Sequence, residues 1–274
     1  MMGLLKSDFR KLMRTKSLWV CCVIAVALGV AMAFLYHYFW EERGRSIAMT
    51  YALMQRFGMK TDSLDTAMAS MPKNNLWAFI NVFLSDSSIW LLGAICLCAF
   101  ASSEFSMGTF KNTIARGVSR GKIYVSKFLA AFAEIMIVAV VYTAAGGITA
   151  WFLVEHSTDF SAGEMALMVG TYVLLLAATA SLYLMLSVVF RKTGLAVAVA
   201  IVAPTLVMTL VNLIGMTKPD LSEQLSLYVL METYLLVQPN VQSGEWYLCP
   251  LIALGYAILS YVVGCLAFRF AEIK

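Results

Sequence analysis

The sequence predicts an all-α integral membrane protein with six transmembrane helices, and three observations carry that prediction. Apolar residues make up 61% of its 274 residues and the mean hydropathy is +0.80, well beyond the roughly 45–50% apolar content of an average soluble domain. Charged residues amount to only 13%, and they cluster between apolar runs instead of lining helix faces, as hydrocarbon solvent demands. Six of the runs can reach the ~20 residues that a helix needs to cross a bilayer. An N-terminal interfacial helix and a re-entrant or surface helix before the last span complete one transmembrane domain over residues 1–274. The net charge of +4 therefore concerns membrane topology, not nucleic acid.

Residues 1–16 place Leu4, Leu5, Phe9, Leu12 and Met13 on one helical stripe against Lys6, Arg10, Lys11 and Arg14. This is an amphipathic helix suited to the headgroup region. The plainer alternative is a basic segment that only orients the following span. Ala31 to Ala33 imitate a signal cleavage site, but the apolar run 18–39 exceeds the ~7–15 residues of a signal core and is long enough to span. Ala25, Gly29 and Ala33 recur every four residues along this first span. They clear one face for close helix approach, either between protomers or inside one bundle.

Residues 41–79 read as an outer segment of mixed charge. Met49, Leu53, Arg56 and Phe57 mark one short amphipathic helix, and Leu76, Phe79, Ile80 and Phe83 a second, with Pro72 between them. Trp77 fits an interfacial anchor, and no glycosylation sequon occurs. The second span, 80–101, has to start near Ile80, because the clean run Ile89 to Ala101 reaches only about 20 Å. Asp86 then falls in its outer third, where a carboxylate is costly unless it faces protein or water. It reads either as a helix N-cap at the water boundary or as part of a substrate exit.

The third span, 128–152, carries Glu134 about 10 Å past Lys127 by helical rise. An acid at that depth has to be neutral, reach toward Lys127, or serve conformational coupling or proton handling. Glu155, Asp159 and Glu164 follow in an outer loop. The fourth span, 165–190, stops at Arg191 and Lys192. The fifth, 194–215, shows a second small-residue face at Ala196 and Ala200, with Pro204 a predicted kink. Between them and the last span, Leu225 to Pro239 is apolar but interrupted by Glu232 and Thr233, so it reads as a re-entrant or surface helix on the outer side. The sixth span, 246–268, ends at Arg269. Fourteen of the twenty Lys and Arg residues fall on the side shared by the termini. The positive-inside rule therefore places both termini and the loop 104–127 in the cytoplasm.

Most catalytic chemistry lacks the residues it needs. The six cysteines lie in or at the ends of apolar runs without a CxxC pair, so neither a disulfide nor a zinc site is expected. His37 and His156 stand apart from any nucleophile arrangement. Gly117 to Lys122 reads GVSRGK but fails as a phosphate loop, since only three residues separate its glycines and Ile123 follows the Lys. No polar stretch is long enough to fold a nucleotide-binding domain, so any ATP and magnesium belong to another chain. This chain is expected to bind no cofactor.

The loop 104–127 has the form of a docking element. Glu104 and Phe105 follow the second span, Gly108 and Thr109 open a turn, Phe110 to Ala115 form a short helix, and Gly117 to Gly121 turn back. A basic loop resting on anionic lipid is the plain alternative. The run Glu104, Gly108, Thr109, Gly117, Ser119, Arg120, Ser126 and Lys127 resembles the cytoplasmic loop of bacterial type-2 ATP-binding-cassette (ABC) transporter permeases. These are six-span membrane subunits of exporters and antimicrobial-peptide immunity pumps, and the topology resembles theirs over the whole chain. The longer outer segment 41–79 departs from the shorter members. The resemblance implies a coupling helix within Phe105 to Arg120, Arg116 included, docked on an ATP-binding subunit, with two permease chains and two such subunits in a bacterial cytoplasmic membrane. It also implies that the first and fifth spans meet across a protomer interface. The favoured cargo is an amphipathic compound such as a peptide antibiotic. An ATP-independent transporter or channel would call for more intramembrane charge than Asp86 and Glu134, and a membrane scaffold is the remaining alternative.

Overall fold

A computed structural model describes residues 2–56, 76–86, 88–106, 109–154, 162–230 and 248–270. Among these, six helices are long and apolar enough to cross a membrane. The first is α2 (Lys16–Arg56), preceded by the amphipathic α1 (Met2–Arg14). Next come α3 (Leu76–Ser85), α4 (Ser88–Ser106), the short α5 (Thr109–Ala115) and the long α6 (Arg120–Leu153). The chain continues through α7 (Ala162–Phe190), α8 (Thr193–Gly215), α9 (Pro219–Leu227) and α10 (Leu248–Phe270). The centre of the bundle is α4, α6 and α7, with α2 laid along α6 and α10 along α7. Both α1 and α5 sit at the end of the bundle where α6 begins.

Three boundaries differ from the sequence reading. A separate short helix around Met49 to Phe57 is not formed, because α2 runs on without a break to Arg56. Hydropathy marks where lipid ends, whereas this extension is held by local ion pairs, Arg45 with Glu41 at 3.2 Å and with Glu42 at 3.5 Å. The second span, Val82–Ser103, starts two residues after Ile80 and includes the break at Asp86 between α3 and α4. The third span starts eight residues before Phe128, so α6 absorbs Lys122, Ser126 and Lys127 into its first turns. Residues 57–75, with Pro72, and 231–247, with Glu232 and Pro239, lie outside the described residues, as do Glu155 and Asp159.

The small-residue face of the first span packs within the chain. Ala25 and Ala33 are fully buried, as are Ala196 and Ala200 on α8. Gly29 abuts α6 so tightly that a Cβ there would sit 2.7 Å from the Tyr142 carbonyl oxygen and 3.2 Å from the Gly146 nitrogen. Backbone cannot swing aside as a side chain can. Gly29→Ala is therefore expected to destabilise the protein by about 1–3 kcal/mol, measured as denaturation of the purified chain in detergent. The control is Gly255→Ala on α10, whose Cβ meets nothing within 4 Å and which is expected to be neutral or slightly stabilising.

The same helical row begins one turn earlier at Cys21, which is disulfide-bonded to Cys96 of α4 with Cα atoms 6.7 Å apart. This corrects the expectation of no disulfide. Spacing along the sequence cannot show that α2 and α4 cross at these two positions, which are 75 residues apart. Pro204 lies inside α8, where it denies the carbonyl of Ala200 its usual donor. The neighbouring Thr205 hydroxyl donates to the Ile201 and Val202 carbonyls at 3.1 and 2.8 Å.

Candidate functional site: the docking end of the bundle

The site is built on α5, a helix of seven residues lying between the ends of α4 and α6. Such a helix is too short to hold its shape alone, so packing has to fix it. Phe110 supplies that packing. Its buried ring meets Phe268 of α10 edge-on at 5.2 Å between centroids. Ala101, Ile123, Tyr124, Leu184 and Val188 close around the pair, so that α4, α6, α7 and α10 all contribute. Tyr124 lies against Tyr261 at 5.2 Å, extending the aromatic cluster into the bundle.

After α5 the chain reverses through Gly117, whose φ of +80° is a left-handed conformation that glycine adopts without cost. Its amide donates to the Ile114 carbonyl at 2.9 Å. Ser119 is the N-cap residue of α6 but makes no side-chain cap bond. Ala115, Arg116, Gly117 and Ser119 are exposed, while Arg120 is partly covered and donates to the Arg269 carbonyl at 2.6 Å. The loop is thus a fixed helix with an exposed tip. Glu104 and Phe105 fall in the last turn of α4 and Thr109 is the first residue of α5; Gly108 lies outside the described residues.

Lys127 faces α1 and does not pair with Glu134, one of the alternatives open for that acid. Its ammonium pairs with the Asp8 carboxylate of α1 at 2.5 Å, with both side chains over nine-tenths buried. The Ser126 hydroxyl donates to the other Asp8 oxygen at 2.5 Å. Phe100 and Phe110 present their rings to the same ammonium at 5.6 and 5.9 Å, a cation–π contribution to the pair. Asp8 was missed in the sequence reading. The available signal was a lone acid on the apolar row formed with Leu5 and Leu12, where a charge is out of place unless it has a partner.

The intramembrane acids are separate from this site. The carboxyl of Glu134 is fully buried on α6, and neither of its oxygens has a hydrogen-bond partner among the described residues. Asp86 lies between α3 and α4, where one carboxylate oxygen accepts the Ser88 amide at 3.2 Å and the other accepts the Tyr142 hydroxyl in a very close contact. This geometry caps the start of α4. Among the described residues, no group of three His, Cys, Asp or Glu side chains could hold a metal.

Away from α5, the bundle carries an apolar groove of about 680 Å³ between α3, α6 and α7. Leu76, Ile80, Met136, Trp151, Val169 and Leu176 are among the residues that line it, and it follows α6 from Met136 to Phe152. That run is roughly 24 Å of helix, more than the ~15 Å of one leaflet's hydrocarbon. Asp86 and Glu134 are not among its lining residues. Phe79 and Phe83 of α3 hold the helix beside the groove, with rings 4.7 Å from Tyr36 and 5.8 Å from Tyr142 respectively.

Comparison with curated proteins returned no match to the chain. Comparison with family models matched residues 2–270 to the ABC-2 family transporter protein. The match runs from α1 through the last span and takes in both α5 and the groove. With six potential spans and a docked helix at one end, the chain belongs to the ABC-2 family and is a membrane-embedded permease subunit of an ABC transporter.

Proposed function

We propose that the protein couples ATP hydrolysis on a partner subunit to export or clearance of an amphipathic compound, through α5 and its exposed tip. Family membership brings an ATP-binding partner to the membrane domain. The observation that carries the coupling role is the anchoring of α5 on four spans by Phe110, which leaves Ala115, Arg116, Gly117 and Ser119 outward. A partner that closes on ATP biases the spans only by the difference in how it grips α5 in the two states. A helix tied rigidly to α4, α6, α7 and α10 transmits that difference.

Orientation and cargo complete the reading. The excess of Lys and Arg on the α1 and α5 end favours a cytoplasmic location for both termini and for α5 in a bacterial cytoplasmic membrane. The apolar groove then runs inward from the outer end of α6 through the outer leaflet and beyond it. A molecule with an apolar portion, such as a peptide antibiotic, could shelter that portion there while its polar part remains in the headgroup layer. Assembly follows the family pattern, with two ATP-binding subunits that hold the ATP and magnesium and a second permease chain, identical or related.

The test is co-purification with an ATP-binding subunit, compared with the variant A115W/R116E at the exposed tip. The variant is expected to lose at least ten-fold in recovered ATPase while keeping the melting behaviour of the native chain. Undiminished recovery and undiminished resistance to the exported compound would remove the coupling role from α5.

A further inference from the structure

Between α1, α5 and the first turns of α6 lies a second cavity, of about 450 Å³. Gly3, Ser7 and Lys11, four residues apart on one side of α1, form part of its wall. Phe9 and Met13 are 45% and 41% exposed, and each follows one of these residues by two positions, about 200° around a helix. The exposed apolar side of α1, the one suited to the headgroup layer, therefore faces away from the cavity. On an amphipathic helix the opposite side belongs to water, so the occupant comes from the aqueous phase. Arg116 is part of the wall and also of the exposed tip of α5, which makes the cavity continuous with the surface proposed to meet the ATP-binding partner.

The charges around the cavity define what enters it. Asp8 and Lys127 are in the wall, but they neutralise each other, and Lys11 has an interaction of its own. Arg116 and Lys122 remain. Both line the cavity and are exposed, and among the described residues neither is held by an ion pair or a hydrogen bond. The start of α6 adds the positive end of its dipole, since Val118 and Ile123 complete this part of the wall. A recess with two unmatched cations is complementary to a carboxylate. Resting on the coupling role of α5, we propose that the ATP-binding subunit inserts an acidic side chain, Asp or Glu, into this cavity, where its carboxylate pairs with Arg116 and Lys122. The partner is then held at two places, the tip of α5 and the recess behind it. Helix α1 becomes the second wall of the docking site, tied to α6 by the pair of Asp8 and Lys127.

The experiment uses the full chain co-purified with its ATP-binding subunit in an uncharged detergent. Two variants act on the cavity without touching α5: K122E reverses a cation on α6, and S7W fills the space from α1. Each is expected to lower the recovered subunit about ten-fold, the scale of a reversed or blocked charge contact at an interface, while the chain alone melts as the native one does. K122E, at an exposed position, decides the outcome where S7W disturbs the fold. The charge-preserving R116K/K122R should keep the subunit, as should R10E, which makes an equal change of charge outside the cavity lining. Zero-length carbodiimide coupling of the native complex should join the Lys122 amine to an Asp or Glu of the subunit. Loss of the subunit in A115W/R116E with full recovery in K122E and S7W would overturn the cavity as a docking site and leave the coupling role of α5 standing. Full recovery in all three would remove both. Equal loss in R10E would show that net charge draws the partner, and the proposal would fall. It would fall as well if K122E kept the subunit and instead lost bound phosphatidylglycerol in native mass spectrometry, the mark of a lipid headgroup in the cavity.

Discussion

Asp8→Ala is expected to destabilise the chain by about 3–5 kcal/mol, the cost of leaving a buried charge without its counter-ion. The stranded group is the Lys127 ammonium, over nine-tenths buried among Ser126, Phe100 and Phe110. Lys127→Ala should cost a similar amount by stranding the carboxylate. The measurement is thermal or denaturant unfolding in detergent, together with protease sensitivity of α1, which is expected to come free of α6 before the bundle melts. The double substitution D8L/K127M should recover most of the loss, because removing both charges replaces a costly ion pair with apolar packing. Single variants within about 0.5 kcal/mol of the native chain would show that the pair does not fasten α1.

Phe110→Ala ranks beside it. Removing a buried phenyl ring costs about 3–5 kcal/mol, and here the cost falls on the attachment of a seven-residue helix that has no stability of its own. Faster hydrogen exchange in residues 109–115 is therefore expected, with the spans little changed. ATP-binding partner recovered with the chain should drop at least ten-fold, since a loose helix pays its ordering entropy at each docking. Phe110→Leu keeps the volume better and should hold most of the partner. Unchanged exchange in Phe110→Ala would mean that something other than this ring secures α5.

The class of the protein was legible because one solvent imposes one pattern. Hydrocarbon admits only long apolar helices, and six of them stand out in the sequence as they do in the structure. The amphipathic stripe of residues 1–16 was readable for the same reason, since an interface sorts side chains by face. What escaped were contacts between residues far apart along the chain. The pairing of Asp8 with Lys127 spans 119 positions, and no local periodicity encodes it. Lys127 looked like the end of a loop because its charge was read without its partner. Cys21 was taken for an ordinary apolar position although it extends the row of Ala25, Gly29 and Ala33 by one turn. Likewise, the helical stretch beyond Phe39 was invisible to hydropathy, because charged residues paired at four-residue spacing continue a helix as well as apolar ones do.

The α5 helix was legible in part. Gly117 announced a reversal through its need for a left-handed backbone, and the structure shows that conformation. The role of Phe110 could not be read in advance, since an aromatic residue in a loop announces burial without naming the helix that provides it.

The close approach of Gly29 to Tyr142 and Gly146 has a mechanical consequence. The α6 rod is 34 residues long, or roughly 50 Å, and backbone contact with α2 leaves it least free to shift near Tyr142. That position lies about two-thirds of the way along, some 33 Å from Arg120 and about 16 Å from Leu153. A rod held at such an off-centre point divides into a long arm that carries the α5 end and a short arm, about half as long, that lines the apolar groove.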